Sequence, residues 1–149
     1  MKRLTGVLLV LVMVFSLSAA LAQRAECSQG GFSVNLPDHF KESPSSYGAD
    51  LCFRWHGKKL NVQGYASYQG EYSNADLFQV LTGDETDYGQ VTVNGMNMLY
   101  TRTEEDGDVI ISYTWMDRGN EVTLEFTYAA EDTSVQNTVN SIINSISFD

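Results

Sequence analysis

Alternation dominates the second half of the chain. Val122, Leu124, Phe126 and Tyr128 are apolar at every second position, and Thr123, Glu125 and Thr127 lie between them. Successive side chains on a strand point to opposite faces, so this stretch predicts a strand with one buried and one wet face. Val109, Ile111, Tyr113 and Trp115 repeat the pattern, as do Met96, Met98 and Tyr100, and Val91 with Val93. Turn residues part these runs: Asn94-Gly95, then Glu104 to Asp108, then Arg118-Gly119-Asn120. Asn-Gly is the strongest of the three signals, because both residues accept the positive φ of a two-residue hairpin turn. Residues Thr86 to Tyr128 are therefore predicted to form an antiparallel meander.

The first half is more broken. Phe32-Ser33-Val34-Asn35-Leu36 alternates after Gly30-Gly31 and stops at Pro37-Asp38. A polar, Ser-rich loop is expected from Lys41 to Gly48. Leu51, Phe53 and Trp55 alternate next, turn at Gly57-Lys58, and continue as Leu60, Val62 and Ala66 on a second strand. Two stretches change period. Ser73 and Asp76 mark a helix start, Leu77, Phe78 and Leu81 give it an apolar stripe, and Gly83 ends it. Near the C-terminus Thr133 and Gln136 fit a capping box. Val135, Val139, Ile142, Ile143 and Ile146 then fall at helical spacing, opposite Asn137, Asn140, Ser141 and Asn144. That helix is expected on the apolar side of the meander. The fold class is thus α+β, an antiparallel sheet meander with helices packed on its faces. No repeat or linker divides it.

The N-terminus has a different composition. Met1-Lys2-Arg3 precedes an apolar run from Val7 to Phe15, and Ser18 to Ala22 supplies small residues of the A-x-A kind. This reads as a signal peptide over residues 1–22, cut between Ala22 and Gln23. A membrane anchor needs about 20 apolar residues, and Thr5, Gly6, Ser16 and Ser18 dilute the run. Cys27 follows Arg24-Ala25-Glu26, which is a poor lipoprotein box. The expected product is one domain of 127 residues, from Gln23 to Asp149, located outside the cytoplasmic membrane.

Removing the leader changes the charge and the redox setting. Of 9 basic residues Lys2 and Arg3 are lost, leaving 7 against 19 acids and a net charge of −12. Nucleic acid and anionic lipid demand the opposite sign, so neither is an expected partner. Solubility is the ordinary meaning of such an excess. Cys27 and Cys52 are the two cysteines. In an oxidising compartment they are expected to pair. Their closed loop would stabilise the domain by about 3.5 kcal/mol. A redox pair would instead favour Cys-x-x-Cys, which is absent.

The order of elements resembles the Mog1/PsbP-like fold. The residues that carry the likeness are the opening strand ending in Pro, Phe32-Ser33-Val34-Asn35-Leu36-Pro37, and the closing Ile142-Ile143-Asn144-Ser145-Ile146-Ser147-Phe148. Phe40 fills the place of an aromatic that follows the Pro in many members. The resemblance spans nearly the whole mature chain and is made of patterning. It implies an antiparallel sheet with helices on its faces. Members include a GTPase-binding factor, photosystem subunits and small bacterial exported proteins, so it implies no single function and no catalytic residue.

Candidate chemistry is sparse. His39 lies in the Pro37-Asp38-His39-Phe40 turn and His56 ends a strand beside Gly57. A metal site needs three or four ligands, and no His-Glu-x-x-His occurs. No Gly-x-Ser-x-Gly elbow is present, and the glycines are scattered rather than gathered into a phosphate loop. Among 19 acids some pair will be close by chance, so a glycosidase pair carries no signal. Glu104, Glu105, Asp106 and Asp108 put four carboxylates in five residues. A hairpin turn explains them, and a hard cation such as Ca²⁺ is the alternative. Tyr65, Tyr68 and Tyr72 gather near the end of one strand, where exposed tyrosines would anchor a partner and buried ones would pack under the adjoining helix. No cofactor motif is present, so none is expected. Two readings follow. One is a non-catalytic module that binds a protein or envelope component. The other is a small hydrolase assembled from His39, His56 and nearby acids.

Overall fold

A computed structural model describes residues 22–45, 48–70, 73–80 and 87–149. Strand β1 (Ala22–Cys27) is followed by β2 (Phe32–Pro37), β3 (Lys41–Glu42), β4 (Leu51–Trp55) and β5 (Leu60–Tyr68). Helix α1 (Asn74–Val80) leads to the meander β6 (Asp87–Val93), β7 (Met96–Glu105), β8 (Asp108–Asp117) and β9 (Asn120–Ala129). A 3-10 turn over Thr133–Val135, helix α2 (Gln136–Asn144) and β10 (Ser147–Phe148) close the chain.

The strands form two antiparallel sheets. The larger has seven strands in the order β3-β4-β5-β9-β8-β7-β6. The smaller has three, β1-β2-β10, so β2 lies between the two ends of the chain. The meander follows from its turns. Asn94 and Gly95 take φ of 48° and 86°, Asp106 and Gly107 take 52° and 85°, and Arg118 and Gly119 take 49° and 81°. Two consecutive positive φ values match the right-handed twist of the flanking strands. Each hairpin register then sets like faces together: Ile111 opposes Phe126, Tyr113 opposes Leu124, and Trp115 opposes Val122.

These residues form the inner face of the large sheet. Phe32, Val34 and Leu36 of β2 and Val139, Ile142 and Ile143 of α2 complete the core over it. Phe32 meets Trp115 edge to face at 5.2 Å between ring centroids. Such a pair contributes about 0.5–1.5 kcal/mol beyond its burial. The two layers approach closely at Gly64, where an added Cβ would come within 2.8 Å of the Phe32 ring. The predicted stripe Val135, Val139, Ile142, Ile143 and Ile146 is buried throughout. Asn94 fixes the end of α2 to the β6–β7 turn, donating from Nδ2 to the carbonyls of Asn144 (3.2 Å) and Ile146 (2.7 Å).

Several local expectations differ. The expected Thr133–Gln136 capping box is not formed: Asp132 caps the 3-10 turn, its carboxylate accepting from the Ser134 amide at 3.2 Å, and α2 follows that turn with no side-chain cap of its own. Gln136 is drawn instead to the Tyr128 hydroxyl, which donates to its Oε1 at 2.9 Å. Lys41 and Glu42, expected in a loop, pair with Arg54 and Phe53 of β4. Strands β1 and β10 lie where no strand was expected. The leader lies outside the described residues apart from Ala22, which opens β1 opposite Pro37. Gly83 is outside them too. Among the described residues no helix is long and apolar enough to cross a membrane.

The expected bridge between Cys27 and Cys52 is not formed. Both are free thiols. Cys27 sits on the inner side, where a Cβ on Gly64 would touch its Cβ at 3.4 Å and that of Leu51 at 3.2 Å. Strand alternation turns Cys52, the neighbour of Leu51, to the opposite face. There its Sγ reaches the Pro44 carbonyl at 3.7 Å.

Candidate functional site

The outer face of the large sheet follows from the same alternation. The residues between the core positions of β4 to β9 point to it, and the registers arrange them in rows. One row runs Cys52, Gln63, Glu125, Ser112, Thr101, Tyr88. The next runs Tyr65, Thr123, Thr114, Leu99, Gln90. Polar side chains prevail here, whereas the inner face is apolar. Helix α1 covers one corner, against β7 and β8. Leu77 and Leu99 are buried there, apart from the main core. The Asn74 carboxamide anchors α1, its Oδ1 accepting from the Met116 amide at 2.8 Å. The β7–β8 ladder ends at the Leu99–Thr114 pair, which leaves that amide free to be capped.

Beside α1 the face is tied by side-chain bonds, with Tyr65, Ser112 and Glu125 half-buried and Thr114 and Thr123 buried. Tyr65 and Ser112 both donate to Glu125 Oε2, each at 3.4 Å. The hydroxyls of Thr114 and Thr123 lie 3.1 Å apart. Burial pushes the Tyr65 phenol above its ordinary value, and the negative charge of Glu125 pushes it further. Tyr65 therefore stays a hydrogen-bond donor across the physiological range. At the far end of the row Tyr88 is 51% exposed.

The expected tyrosine cluster is only partly gathered. Tyr65 lies on the outer face, as its position opposite Leu60, Val62 and Ala66 implies. Tyr68 has the other parity, sits at the strand end opposite Asn120, and is 77% exposed. Tyr72 lies outside the described residues. Glu125 was missed as a partner of Tyr65, since only the inter-strand register brings the two into adjacent rows; the same register puts Tyr88 at the far end of the Glu125 row.

Among the described residues neither histidine joins a cluster of three His, Cys, Asp or Glu side chains. Both are exposed. His39 packs on Trp55 at 3.9 Å between centroids and on Phe40 at 5.4 Å. A cavity of about 330 Å³ opens between the β4–β5 turn and the end of β9, lined by Gly57, Lys58, Lys59, Ala129, Glu131 and Asp132. Neither histidine lines it. Lys58 is already engaged there, donating to Ser134 Oγ at 2.9 Å and lying 3.7 Å from Asp132.

The acidic run forms the β7–β8 hairpin turn. Glu105 opposes Asp108, and Asp106-Gly107 takes the corner. Glu104 turns to Arg102 at 3.3 Å. Among the described residues no three His, Cys, Asp or Glu side chains converge to hold a metal ion.

No family model and no curated protein matches the chain. Solved structures do. The chain is similar to the cyanobacterial PsbP of Synechocystis, with TM-score 0.61 and 15% identity over 89% of this chain and 95% of that one. It is similar to a Bacteroides thetaiotaomicron protein, with TM-score 0.59 and 13% identity over 85% of this chain, and it spans 48% of that longer chain. It is also similar to the Saccharomyces cerevisiae Ran-binding protein Mog1p, with TM-score 0.53 and 9% identity over 87% of this chain and 96% of that one. Identities this low speak for architecture alone. The sandwich of a seven-stranded sheet, a small second sheet and a C-terminal helix is the Mog1/PsbP-like fold.

Proposed function

We propose that this chain is an exported, non-catalytic module that binds a protein of the cell envelope through the outer face of its large sheet. One observation carries the reading. Tyr65, Ser112 and Glu125 form a pre-organised hydrogen-bonded set, with Ser112 and Glu125 in the row of exposed Tyr88, on a face where, among the described residues, α1 covers a corner. Rigid tyrosines beside fixed polar groups offer contact area at little entropic cost. A Ran-binding protein of the same fold supports the use of this architecture for binding proteins. The leader at residues 1–22 supports the address, and the secreted form is expected to begin at Gln23.

Site-specific photo-crosslinking in the native envelope tests the surface. A probe replacing Tyr88 is expected to give one discrete adduct, weakened by Tyr65→Phe with Glu125→Gln. A probe replacing Asp106, on the remote hairpin, is expected to give none. Equal adducts at both positions, or none at Tyr88, would overturn the reading.

A further inference from the structure

Arg54 and Lys41 face one another across the β3–β4 ladder. Directly opposed residues share a face, with Cβ atoms about 4.5–5.5 Å apart, and like charges so placed repel. The row continues through Asn61, Thr127, Ile110 and Thr103, so it contains no acid. This is odd in a chain with 19 acids and 9 basic residues. Arg24, Lys58, Arg102 and Arg118 each have a carboxylate within 4 Å. Among the described residues Arg54, Lys41 and Lys59 have none, and of these three Arg54 and Lys41 are the two that face one another. Lys41 donates to the Asp38 carbonyl at 3.0 Å, a neutral acceptor. Arg54 Nε is buried and, among the described residues, is the one buried side-chain nitrogen or oxygen without a hydrogen-bond partner. A buried donor left unpaired costs about 1–3 kcal/mol, and more when charged.

We infer that Arg54 and Lys41 form a binding site for a single oxyanion group, a carboxylate or a phosphate. The guanidinium fork matches either group with two parallel bonds. The Lys41 ammonium adds a second charge, and the Asn61 carboxamide, next in the row, is a neutral donor. The oxyanion engages the outer guanidinium nitrogens first. Turning the fork outward then gives Nε the acceptor it lacks. The like-charged pair, unfavourable alone, becomes favourable around a shared anion. This site lies at the β3 edge of the large sheet, away from Tyr88 at the β6 edge, and it stands independently of the partner-binding reading.

The test is an NMR titration of the isotope-labelled domain, Gln23 to Asp149, at constant ionic strength. Sodium acetate and sodium phosphate are the two probes, and sodium chloride is the control. Saturable shifts are expected at the Arg54 Nε–H and at amides of β3, β4 and β5. Saturation by acetate alone identifies a carboxylate ligand, and by phosphate alone a phosphate. Arg54→Gln is expected to weaken binding at least about tenfold, a loss of ~1.4 kcal/mol. Lys41→Glu places a carboxylate opposite Arg54, so it is expected to abolish the shifts and raise the melting temperature. This second variant keeps the test decisive if Arg54→Gln folds poorly. Shifts matching the chloride control for both probes, or unchanged in Lys41→Glu, overturn the inference.

Discussion

Cys27 and Cys52 differ by one strand face, and that difference fixes their reactivity. The thiolate is the reactive form, so a raised pKa slows attack. Burial pushes the Cys27 thiol up to about 11. Burial raises Cys52 too, with the Ser43 hydroxyl opposing it. Maleimide labelling of the native protein is expected to modify Cys52 slowly and to reach Cys27 only in denaturant. An intact mass lower by two hydrogens, with no labelling at all, would show a disulfide instead. Parity also explains what residue-level reading of the site could reach. The outward position of Tyr65 is visible from its place between Gly64 and Ala66. The orphaned Nε of Arg54 is not, because the absence of an acid beside it depends on five other strands.

Elements were legible in proportion to the length of their pattern. The four meander strands carry seven to ten residues each and repeat at period two, so their turns and faces could be placed from sequence. Strand β1 contributes only Ala25 and Cys27 to the core and directly follows the expected leader, so its alternation was hidden. Strands β3 and β10 have two residues each and exist because a neighbour offers an edge, which no local pattern records. Helix α1 is short, and its capping carries much of its definition. Ser73 Oγ accepts from the Asp76 amide at 3.2 Å, and Asp76 Oδ2 accepts from the Ser73 amide at 2.9 Å. Ser73→Ala is expected to speed hydrogen exchange in α1 about fivefold, the worth of a typical cap, while α2 is unchanged. Equal acceleration in both helices would mean that α1 does not open on its own. The Ser73 hydroxyl and amide also hold the Asp76 carboxyl below its ordinary value. The cap is therefore complete above that ordinary value and is lost as the pH falls through the lower folded one.

At the scale of the whole molecule, tyrosines set the alkaline limit. Burial comes first among the causes that raise Tyr65, Tyr100, Tyr113 and Tyr128, and Tyr113 is pushed up to about 12. Its neighbours Tyr100 and Tyr128 add to the shift, since each ionised phenol would repel the next. The unfolded chain loses these protons near the ordinary value of 10.0, while the folded chain keeps them. Above that pH the folded state binds more protons than the unfolded one, so stability falls as the pH rises. Denaturant midpoints should begin to decline near pH 9, where the unfolded Cys27 thiol gives up its proton and the buried one does not, and fall more steeply above pH 10, where tyrosinate absorbance should lag behind that of the denatured protein. Superimposable absorbance curves would contradict the packing of these rings.

The small sheet behaves as a clasp joining the two ends of the chain. Strand β2 is flanked by β1 from the N-terminus and by β10 from the C-terminus. Arg24 and Asp149 lie 3.8 Å apart, and the Asp149 amide donates to the Gly31 carbonyl at 3.0 Å. Gln23 adds a latch, its Nε2 donating to the carbonyls of Pro37 (3.2 Å) and Phe40 (2.6 Å). While a chain threads through a membrane its two ends lie on opposite sides, and a clasp built from both cannot shut. Under the export proposed above, the domain is expected to stay open until its last residues have emerged. The bond expected to be cut, Ala22–Gln23, lies inside that clasp, opposite Pro37 and Leu36, so the proposed cleavage is expected to precede closure.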